Sequence, residues 1–407
     1  MIISFRFKNF RSFLDETFID MKAVNYKEHP SHMVMAGNKK LIKTLAVYGA
    51  NASGKTNLFL AFASFHSFIF WQLFSLKDIP RKHFMSILQV TALDRILPFH
   101  MEETNSLPTE MELSFISGQR VYEYGFSVLK EKILTEFLTV DNHVVFTRTE
   151  DNLSIGRQYE KALRQKAGIR PHRDRLFCSV LSCLDIPEIS VIMEPFETFF
   201  LKQINYYCDF LEPFRLAGNL IMDGRAYKAL EHPEALNYGL EQLRKLGIPA
   251  EELIIDKGIP KLGYRVKSRV TGKYETQYMD YTKVSLGTMK SLQLFIQIYY
   301  LSKKGGILII DNISNEFHPA VTKFFIDFLQ QEKIKNIQLI FTTYDISILN
   351  NQQFRRDEVA FVDMNEYQES RLYTLADIKV RSDASFSKDY LLGKYGAIPL
   401  LKDCFIQ

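Results

Sequence analysis

Cysteine is scarce in this sequence, and the cysteines present form no metal or redox motif. Their spacing matches neither the ligand pattern of a zinc site nor the close pair of a redox motif. The four residues are Cys178, Cys183, Cys208 and Cys404. Because disulfides persist mainly in oxidising compartments, we expect reduced thiols and a cytoplasmic location.

Long apolar runs are also lacking. A membrane-spanning helix needs about 20 apolar residues, and the nearest candidate, Phe62–Phe74, is shorter. The segment Met1–Phe13 carries Arg6, Lys8 and Arg11 among its apolar residues, unlike a secretory signal. We therefore expect neither membrane insertion nor export. The formal net charge of +4 is too small to indicate a nucleic-acid partner by itself.

Internal repeats and low-complexity linkers are absent as well, and the composition is that of a globular protein. Hydrophobic residues make up 46% and charged residues 24% of the chain. A chain of 407 residues exceeds one ordinary core, so the length predicts two lobes or domains. The 33 phenylalanines predict a core or an interface rich in aromatic rings.

The most informative segment is Gly49–Thr56, which reads GANASGKT and matches the phosphate-loop pattern G-x-x-x-x-G-K-[ST]. The apolar residues Thr44–Tyr48 before it predict a strand, and Asn57–Trp71 after it predict a helix. This is the context that the pattern requires, because loop amides and a helix N-terminus together form an anion site. Glycines in such a loop let the backbone approach a phosphate closely.

Two further features complete a predicted site for ATP and Mg²⁺. Lys55 can reach the β- and γ-phosphates, and the Thr56 hydroxyl can bind Mg²⁺. The apolar run Ile307–Ile310 predicts a buried parallel strand that ends in Asp311, the expected second Mg²⁺ ligand. The predicted nucleotide-binding residues around the loop are Gly49, Asn51, Ser53, Gly54, Lys55, Thr56 and Asn57.

A second phosphate-binding segment is predicted at Ser285–Thr288, which reads SLGT and opens a helix. Ser285, Gly287 and Thr288 provide two hydroxyl groups and an unhindered backbone at a helix N-terminus, which is chemistry suited to a phosphate. An ordinary helix cap explains the same residues and stays open as the alternative.

Apolar periodicity places these motifs on alternating strands and helices. The predicted strands include Ile2–Phe7, Phe13–Met21, Met111–Ile116, Arg120–Val128, Phe137–Phe146, Leu253–Asp256, Gly263–Val270, Gln338–Thr342, Glu358–Val362 and Arg371–Tyr373. Further helices are predicted over Glu197–Leu216, Tyr227–Leu246, Gly287–Ser302 and Ala320–Gln331, before an irregular C-terminus.

The pattern predicts a split α/β nucleotide-binding fold. Residues 1–156 would form a lobe with the phosphate loop and an inserted antiparallel β region. Residues 157–250 would form a helical lobe, and residues 251–407 a second nucleotide-binding lobe with the remaining motifs. The phosphate loop and Asp311 would then come from opposite ends of the chain.

The order of the motifs resembles that of one bacterial family. NFRSF at Asn9–Phe13 precedes the phosphate loop, and SLGT, IIDN with FHP, and TTYD at Thr342–Asp345 follow it. The segment Tyr390–Pro399 closes the series with YLLGKYGAIP. The chain resembles the AAA-class, ABC-type ATPases of bacterial abortive-infection and anti-phage operons (AbiL/RloA-like), relatives of the OLD and RecF ATPases.

The resemblance implies an ABC-type head in which ATP lies between the phosphate loop of one subunit and the signature helix of another. Ser285, Gly287 and Thr288 would then contact a γ-phosphate bound to a partner copy, in a homodimer or larger homo-oligomer. The family also implies a sensor or scaffold subunit with a separately encoded effector, a nuclease or toxin. It places His318–Pro319 at the dimer interface, for which a plain turn is the alternative.

The chain departs from the family pattern at two positions that act on the γ-phosphate. Asn312 follows Asp311 where the family has glutamate, and an amide cannot accept a proton from the attacking water. Tyr344 stands where the family has histidine. Glu316 lies beyond Asn312 and is a candidate substitute, so Asp311, Asn312, Glu316 and Tyr344 are the candidate catalytic residues. Slow hydrolysis and ordinary turnover both stay open.

Other classes of function stay open beside the anti-phage hypothesis. One is a DNA-binding repair ATPase of the SMC or RecF kind, although the long heptad arms of SMC proteins are lacking. A solitary NTP hydrolase is another. The most basic stretch, Arg157–Arg175, would suit nucleic-acid phosphates, an acidic protein partner or a solvated helix face.

Overall fold

The computed structural model describes residues 1–74, 96–99, 106–130, 132–150, 152–164, 175–207, 232–315 and 317–399. The chain divides into two compact units. The larger unit comprises Met1–Tyr207, Gly306–Ile313 and Ile326–Gln407, and the smaller unit comprises Cys208–Gly305 and Ser314–Phe325. Each unit is therefore assembled from separate stretches of the chain. The three-part division at residues 156 and 250 stays a prediction.

The described ranges contain both strands and helices. The strands of the first half are β1 (Ile2–Lys8), β2 (Thr17–Asp20), β3 (Met33–Ala36), β4 (Lys39–Ile42), β5 (Thr44–Tyr48), β6 (Thr109–Ser117), β7 (Arg120–Leu129), β8 (Lys132–Val140), β9 (His143–Thr149) and β10 (Asn152–Ile155). Those of the second half are β11 (Ile204–Tyr207), β12 (Ala250–Asp256), β13 (Ile259–Lys267), β14 (Tyr274–Asp280), β15 (Gly306–Ile310), β16 (Ile337–Thr342), β17 (Val359–Met364) and β18 (Ser370–Thr374). The α-helices are α1 (Lys55–Phe74), α2 (Arg157–Arg164), α3 (Phe177–Leu181), α4 (Pro187–Thr198), α5 (Pro233–Lys245), α6 (Leu286–Lys304), α7 (Pro319–Gln330) and α8 (Phe386–Leu391). None of these helices is long and apolar enough to cross a membrane.

The nucleotide fold is built on a six-stranded sheet in the larger unit. Its order is β11-β15-β16-β5-β17-β18, and every neighbouring pair is parallel except β17 and β18. β5, β15 and β16 are buried along their whole length, which is why they read as nearly continuous apolar runs. Because β5 lies between strands from the C-terminal part of the chain, the predicted split α/β fold is confirmed.

The topology of this sheet positions the site. β5, β16 and β15 are adjacent and parallel, so their carboxyl ends meet at one edge. β5 leads into the phosphate loop, β15 ends directly before Asp311, and β16 ends at Thr342. Residues that lie far apart in the sequence therefore come together at this edge.

The larger unit also contains a seven-stranded antiparallel sheet, ordered β10-β9-β8-β7-β6-β1-β2, and the two-stranded sheet β3-β4. The seven-stranded sheet confirms the predicted antiparallel β region. The single strand predicted over Phe137–Phe146 is wrong, because a turn divides this stretch into β8 and β9. Asp141 and Asn142 have φ values of 51° and 63°. Two left-handed residues in succession form the type I′ turn that suits a tight hairpin.

Aromatic side chains on α1 and the antiparallel sheet account for part of the high phenylalanine content. Phe62 stacks on Phe5 with ring centroids 4.3 Å apart, and Phe65 stacks on Phe126 at 5.3 Å. Leu58, Phe59 and Phe62 also face the apolar strands of the six-stranded sheet. Because α1 is covered by both sheets, its sequence is apolar on every side.

One helix prediction is correct only in part. Of the helix predicted over Glu197–Leu216, the structure is helical to Gln203, through the end of α4 at Thr198 and a π-helical turn over Phe199–Gln203, but the prediction is wrong over Ile204–Tyr207, which form β11. β11 pairs in parallel with β15, so tertiary pairing outweighs the local helical pattern. Residues 208–216 lie outside the described ranges. Near the other end of the chain, the region predicted to be irregular contains α8.

The smaller unit packs α5 against α6 and carries the three-stranded sheet β12-β13-β14. Gly239 permits the close helix contact, since a Cβ there would lie 2.8 Å from Leu292 Cδ1. The strand predicted over Gly263–Val270 is β13, which begins and ends earlier, and β14 is an additional strand. β14 is mostly exposed, so its sequence lacks the apolar alternation that reveals a strand.

Candidate nucleotide-binding site

The phosphate loop connects the buried end of β5 to the first turn of α1. Ala52 and Gly54 have φ values of 63° and 110°, and glycine adopts such values at little steric cost. A Cβ on Gly54 would collide with Ser370 Oγ, and a Cβ on Gly49 would collide with the carbonyl oxygen of Val362. The packing of the loop therefore requires both glycines of the pattern.

Lys55 folds back over the loop from the first turn of α1. Its Nζ donates hydrogen bonds to the carbonyl oxygens of Gly49 and Ala50, at 2.8 and 2.7 Å. Burial lowers the pKa of Lys55, and the nearby Asp311 carboxylate opposes that shift. Neutral carbonyl oxygens are weaker acceptors than a phosphate oxygen, so an incoming phosphate can replace them as the partner of this ammonium group.

Asp311 accepts two hydroxyl hydrogen bonds at the end of β15. Its Oδ2 accepts from Thr56 Oγ1 at 3.0 Å, and its Oδ1 accepts from Thr342 Oγ1 at 2.6 Å. The Thr56 hydroxyl and the Asp311 carboxylate are hard oxygen ligands, and Mg²⁺ commonly takes only a few such ligands from the protein. The two predicted metal ligands therefore lie side by side, and their chemistry fits Mg²⁺.

Asn312 has a left-handed backbone, with φ at 55°. Asparagine is one of the few non-glycine residues that adopt this region readily. The Asn312 N–H donates to Thr342 Oγ1 at 2.7 Å. The Oδ1 atom of its side chain is buried and has no hydrogen-bond partner among the described residues.

These residues surround a cavity of about 510 Å³, within the usual range of small-molecule sites, roughly 300–1,000 Å³. Its lining consists of Asn51, Ala52, Gly54, Lys55, Thr56, Asn57, Asp311, Asn312, Thr342 and Tyr344. Tyr344 remains 50% exposed on the cavity wall. The structure thus brings the loop together with Asp311, Asn312 and Tyr344. Glu316 lies outside the described residues.

A chain of polar side chains supports the phosphate loop. Asn57 Nδ2 donates to Ser12 Oγ at 2.8 Å, and Ser12 Oγ lies 2.8 Å from Ser370 Oγ. Ser370 Oγ lies 2.7 Å from the carbonyl oxygen of Ser53 in the loop. Ser12 belongs to the NFRSF segment, but no sequence pattern indicates Ser370, because only the fold brings β18 beside the loop. Thr342 is likewise a site residue that sequence reasoning missed, although it begins the TTYD segment.

In the smaller unit, Ser285 and Thr288 form the start of α6. Ser285 Oγ accepts a hydrogen bond from the Thr288 N–H at 3.2 Å and lies 2.8 Å from Thr288 Oγ1. Gly287 lies in the first turn of the helix. This geometry is that of an ordinary N-cap, and a phosphate contact by these residues stays a prediction.

The remaining motif residues have structural partners. Tyr390 OH donates to the carbonyl oxygen of Ala397 at 2.8 Å, and Tyr373 OH donates to that of Tyr395 at 2.6 Å, which fastens the YLLGKYGAIP segment. His318 stands directly before α7. Residues 165–174 of the basic stretch lie outside the described ranges. Within those ranges, no three His, Cys, Asp or Glu side chains cluster so that they could hold a metal.

One protein family matches part of the chain. Its description is "AAA domain, putative AbiEii toxin, Type IV TA system", and the match covers residues 205–350. That range includes SLGT, Asp311 and TTYD but not the phosphate loop, and it is less than half of the chain. No curated protein is significantly similar to this sequence.

Solved structures similar to the chain include heads of SMC proteins. The SMC head domain from Thermotoga maritima is 11% identical to this chain, with a TM-score of 0.42. The alignment covers 92% of this chain and 98% of the Thermotoga maritima chain. An SmcHead bound to the C-winged helix domain of ScpA is 14% identical with a TM-score of 0.43, covering 92% and 97%. A Smc head with an extended coiled coil, bound to the C-terminal domain of ScpA derived from Pyrococcus furiosus, is 13% identical at 0.43, covering 97% and 98%. TM-scores below 0.5 do not establish a common function.

The phosphate loop, the split parallel sheet and the family match agree with one another. The loop carries the residues of a phosphate-loop NTPase, and Asp311 stands beside Thr56 as such sites require. The matched family is an AAA domain. Together these findings support an AAA-type P-loop ATPase.

Proposed function

We propose that this chain binds ATP with Mg²⁺ and acts as a nucleotide-dependent sensor and scaffold subunit in a bacterial anti-phage system. The observation that carries the nucleotide part is the cavity at the end of β5, β15 and β16. In this cavity the Lys55 ammonium group is hydrogen-bonded to the loop, and the Thr56 hydroxyl is hydrogen-bonded to the Asp311 carboxylate. A lysine, a hydroxyl and a carboxylate are the groups that phosphate-loop proteins use for Mg²⁺–nucleotide binding.

Within this site, each residue has a distinct role. Lys55 leaves its carbonyl acceptors and binds the β- and γ-phosphates, while loop amides bind the remaining phosphate oxygens. Thr56 and Asp311 would hold Mg²⁺, which supplies charge neutralisation between the phosphates. Asn51 and Asn57 line the same cavity, so they are placed to contact the bound nucleotide.

Hydrolysis should be slow in this chain. Asn312 follows Asp311 and cannot accept a proton, and a general base typically contributes about 10²–10⁴-fold to a rate. Its buried Oδ1 can still accept a hydrogen bond and orient water. Tyr344 can donate one hydrogen bond from its hydroxyl but is not a cation. ATP would therefore persist in the site, as suits a subunit whose output is assembly.

Assembly would follow from a composite site, as in the ABC-type ATPases that the chain resembles. Ser285, Gly287 and Thr288 of a second copy would cap the γ-phosphate and create a homodimer or larger homo-oligomer. The effector, a nuclease or toxin, would be a separate protein. The matched family description names an AbiEii toxin and a Type IV TA system, which supports a defence role over DNA repair.

Two measurements test this proposal. Mass photometry with ATP–Mg²⁺, with ADP–Mg²⁺ and without nucleotide should show larger species only with ATP, while phosphate release stays slow. A phage challenge of cells that carry the chain with its neighbouring genes should show protection that Lys55→Ala removes. Protection that is independent of Lys55 would refute the nucleotide-dependent role. A chain that protects nothing but assembles on DNA would favour the repair alternative.

A further inference from the structure

Thr342 Oγ1 connects the ends of two neighbouring strands at the cavity. The hydroxyl donates to Asp311 Oδ1 at 2.6 Å and accepts from the Asn312 N–H at 2.7 Å. The Thr342 side chain is buried, with 4% of its surface exposed, and it lines the cavity. Its single hydroxyl is therefore used both as a donor and as an acceptor toward the two residues that follow β15.

The first of these bonds determines how the Asp311 carboxylate is turned. Oδ1 is bound to Thr342, and Oδ2 accepts from Thr56 Oγ1 at 3.0 Å. Because Thr342 on β16 holds Oδ1, the Oδ2 atom is directed toward Thr56, the other expected metal ligand. Hydrogen bonds of this kind fix the orientation of a metal-binding carboxylate and raise the affinity of its site.

The second bond determines where the Asn312 side chain lies. Asn312 leaves β15 with φ at 55°, and the N–H bond to Thr342 holds the peptide in that position. The left-handed turn ends the strand and leaves the Asn312 side chain on the cavity lining. A change at Thr342 would thus displace both groups together.

We propose that Thr342 is a positioning residue that orients Asp311 for Mg²⁺ and holds Asn312 beside it on the cavity lining, an inference that rests on the proposed ATP site. Threonine suits the position because its β-branched side chain favours a strand and its hydroxyl satisfies one acceptor and one donor. Valine has nearly the same shape but can do neither. Serine keeps the hydroxyl and loses only the methyl group.

The test compares Thr342→Val and Thr342→Ser with a matched control, Thr44→Val. Thr44 lies on the adjacent strand β5, is completely buried, and its hydroxyl has no hydrogen-bond partner among the described residues. The affinity for N-methylanthraniloyl-ATP is measured by fluorescence in EDTA and across a series of MgCl₂ concentrations. These data give the metal-free nucleotide affinity and the apparent Mg²⁺ affinity separately.

Thr342→Val should keep the metal-free affinity and weaken the apparent Mg²⁺ affinity by about 10–100-fold, the usual effect of removing such a hydrogen bond. Thr342→Ser should restore the wild-type value, and Thr44→Val should match wild type in both measurements. Should Thr342→Val fail to fold, Thr342→Ala replaces it with the same expectation.

An unchanged Mg²⁺ affinity in the valine or alanine variant would overturn the inference. So would a serine variant as weak as the valine variant, because the methyl group would then be the feature that matters. A wild-type chain that binds the ATP analogue under neither condition would instead overturn the proposed ATP site. The two failures are therefore distinguishable.

Discussion

Lys55 is the residue on which we expect nucleotide binding to depend most directly. Its ammonium group is the mobile positive charge of the loop, and it now contacts the carbonyl oxygens of Gly49 and Ala50. We expect Lys55→Ala to weaken ATP binding by tenfold or more, because a charge-assisted hydrogen bond contributes about 1.5–3 kcal/mol. Titration with a fluorescent ATP analogue measures this loss.

The control for this prediction is Lys40→Ala. Lys40 is an exposed lysine of β4, so its removal changes the net charge equally without touching the loop. It should bind ATP as the wild type does. Equal affinity in both variants would show that the loop is not the nucleotide site.

Asn312 and Tyr344 are the residues that we expect to limit hydrolysis. Asn312→Glu should raise the rate of phosphate release, by up to the roughly 10²–10⁴-fold that a general base contributes. Adding Tyr344→His should raise it further. ATP affinity should change little, because Lys55, Thr56 and Asp311 would hold the phosphates and the metal. A coupled phosphate-release assay and a binding titration provide the two readouts.

The backbone at Asn312 sets a cost for this substitution. In the left-handed backbone of this position, with φ at 55°, glutamate costs roughly 1–2 kcal/mol more conformational energy than in the right-handed helical region. Asn312→Asp is the matched variant, since aspartate tolerates the same backbone but its carboxylate is one methylene shorter. If the wild-type chain already hydrolyses ATP at ordinary rates and Asn312→Glu leaves them unchanged, another residue is the base.

Among secondary-structure elements, β18 contributes to the site without lining the cavity. Ser370, its first residue, lies 2.7 Å from the carbonyl oxygen of Ser53 and 2.8 Å from Ser12 Oγ. We expect Ser370→Ala to lower ATP affinity about fivefold, because the loop loses a hydrogen bond worth about 1 kcal/mol. Isothermal titration calorimetry with ATP–Mg²⁺ measures the difference.

Ser382→Ala is the comparison for this element. Ser382 is an exposed serine in the same C-terminal region, so the chemical change is identical but lies away from the loop. Its affinity should equal that of the wild type. Identical affinities in the two alanine variants would mean that β18 does not hold the loop in its binding conformation.

At the scale of the whole molecule, ATP should tighten self-association and ADP should not. Only ATP supplies the γ-phosphate that a second copy would cap through Gly287 and its neighbours. Gly287→Arg should block assembly, because the added side chain fills the space at the start of α6. Binding of ATP to the single chain should stay intact. Sedimentation velocity with each nucleotide measures the assembly.

Gln277→Arg serves as the control for charge and bulk. Gln277 is exposed on β14 in the same unit, so this variant should assemble on ATP as the wild type does. The same oligomer size with ATP, with ADP and in Gly287→Arg would contradict the composite site. Assembly would then have to depend on another surface.

The sequence predictions were most accurate where burial leaves a clear local pattern of apolar residues. The buried strands β5, β15 and β16 were predictable because both faces are covered and their apolar runs are nearly continuous. β14 was not, because most of its side chains are exposed. β11 was not either, because it follows α4 and the π-helical turn directly and only its pairing with β15 makes it a strand.

The sequence by itself determined the phosphate loop, because its glycines, Lys55 and Thr56 are consecutive and their chemistry needs no distant partner. It also indicated that Asp311 belongs to the same site, because an acid after a buried parallel strand is common by itself but becomes specific in a chain that also has a phosphate loop. Only the tertiary structure decided that Thr342 holds Asp311 and Asn312, and that Ser370 supports the loop. Those contacts join strands that become neighbours only when the sheet forms, and hydrogen bonds between such strands leave no local pattern in the sequence.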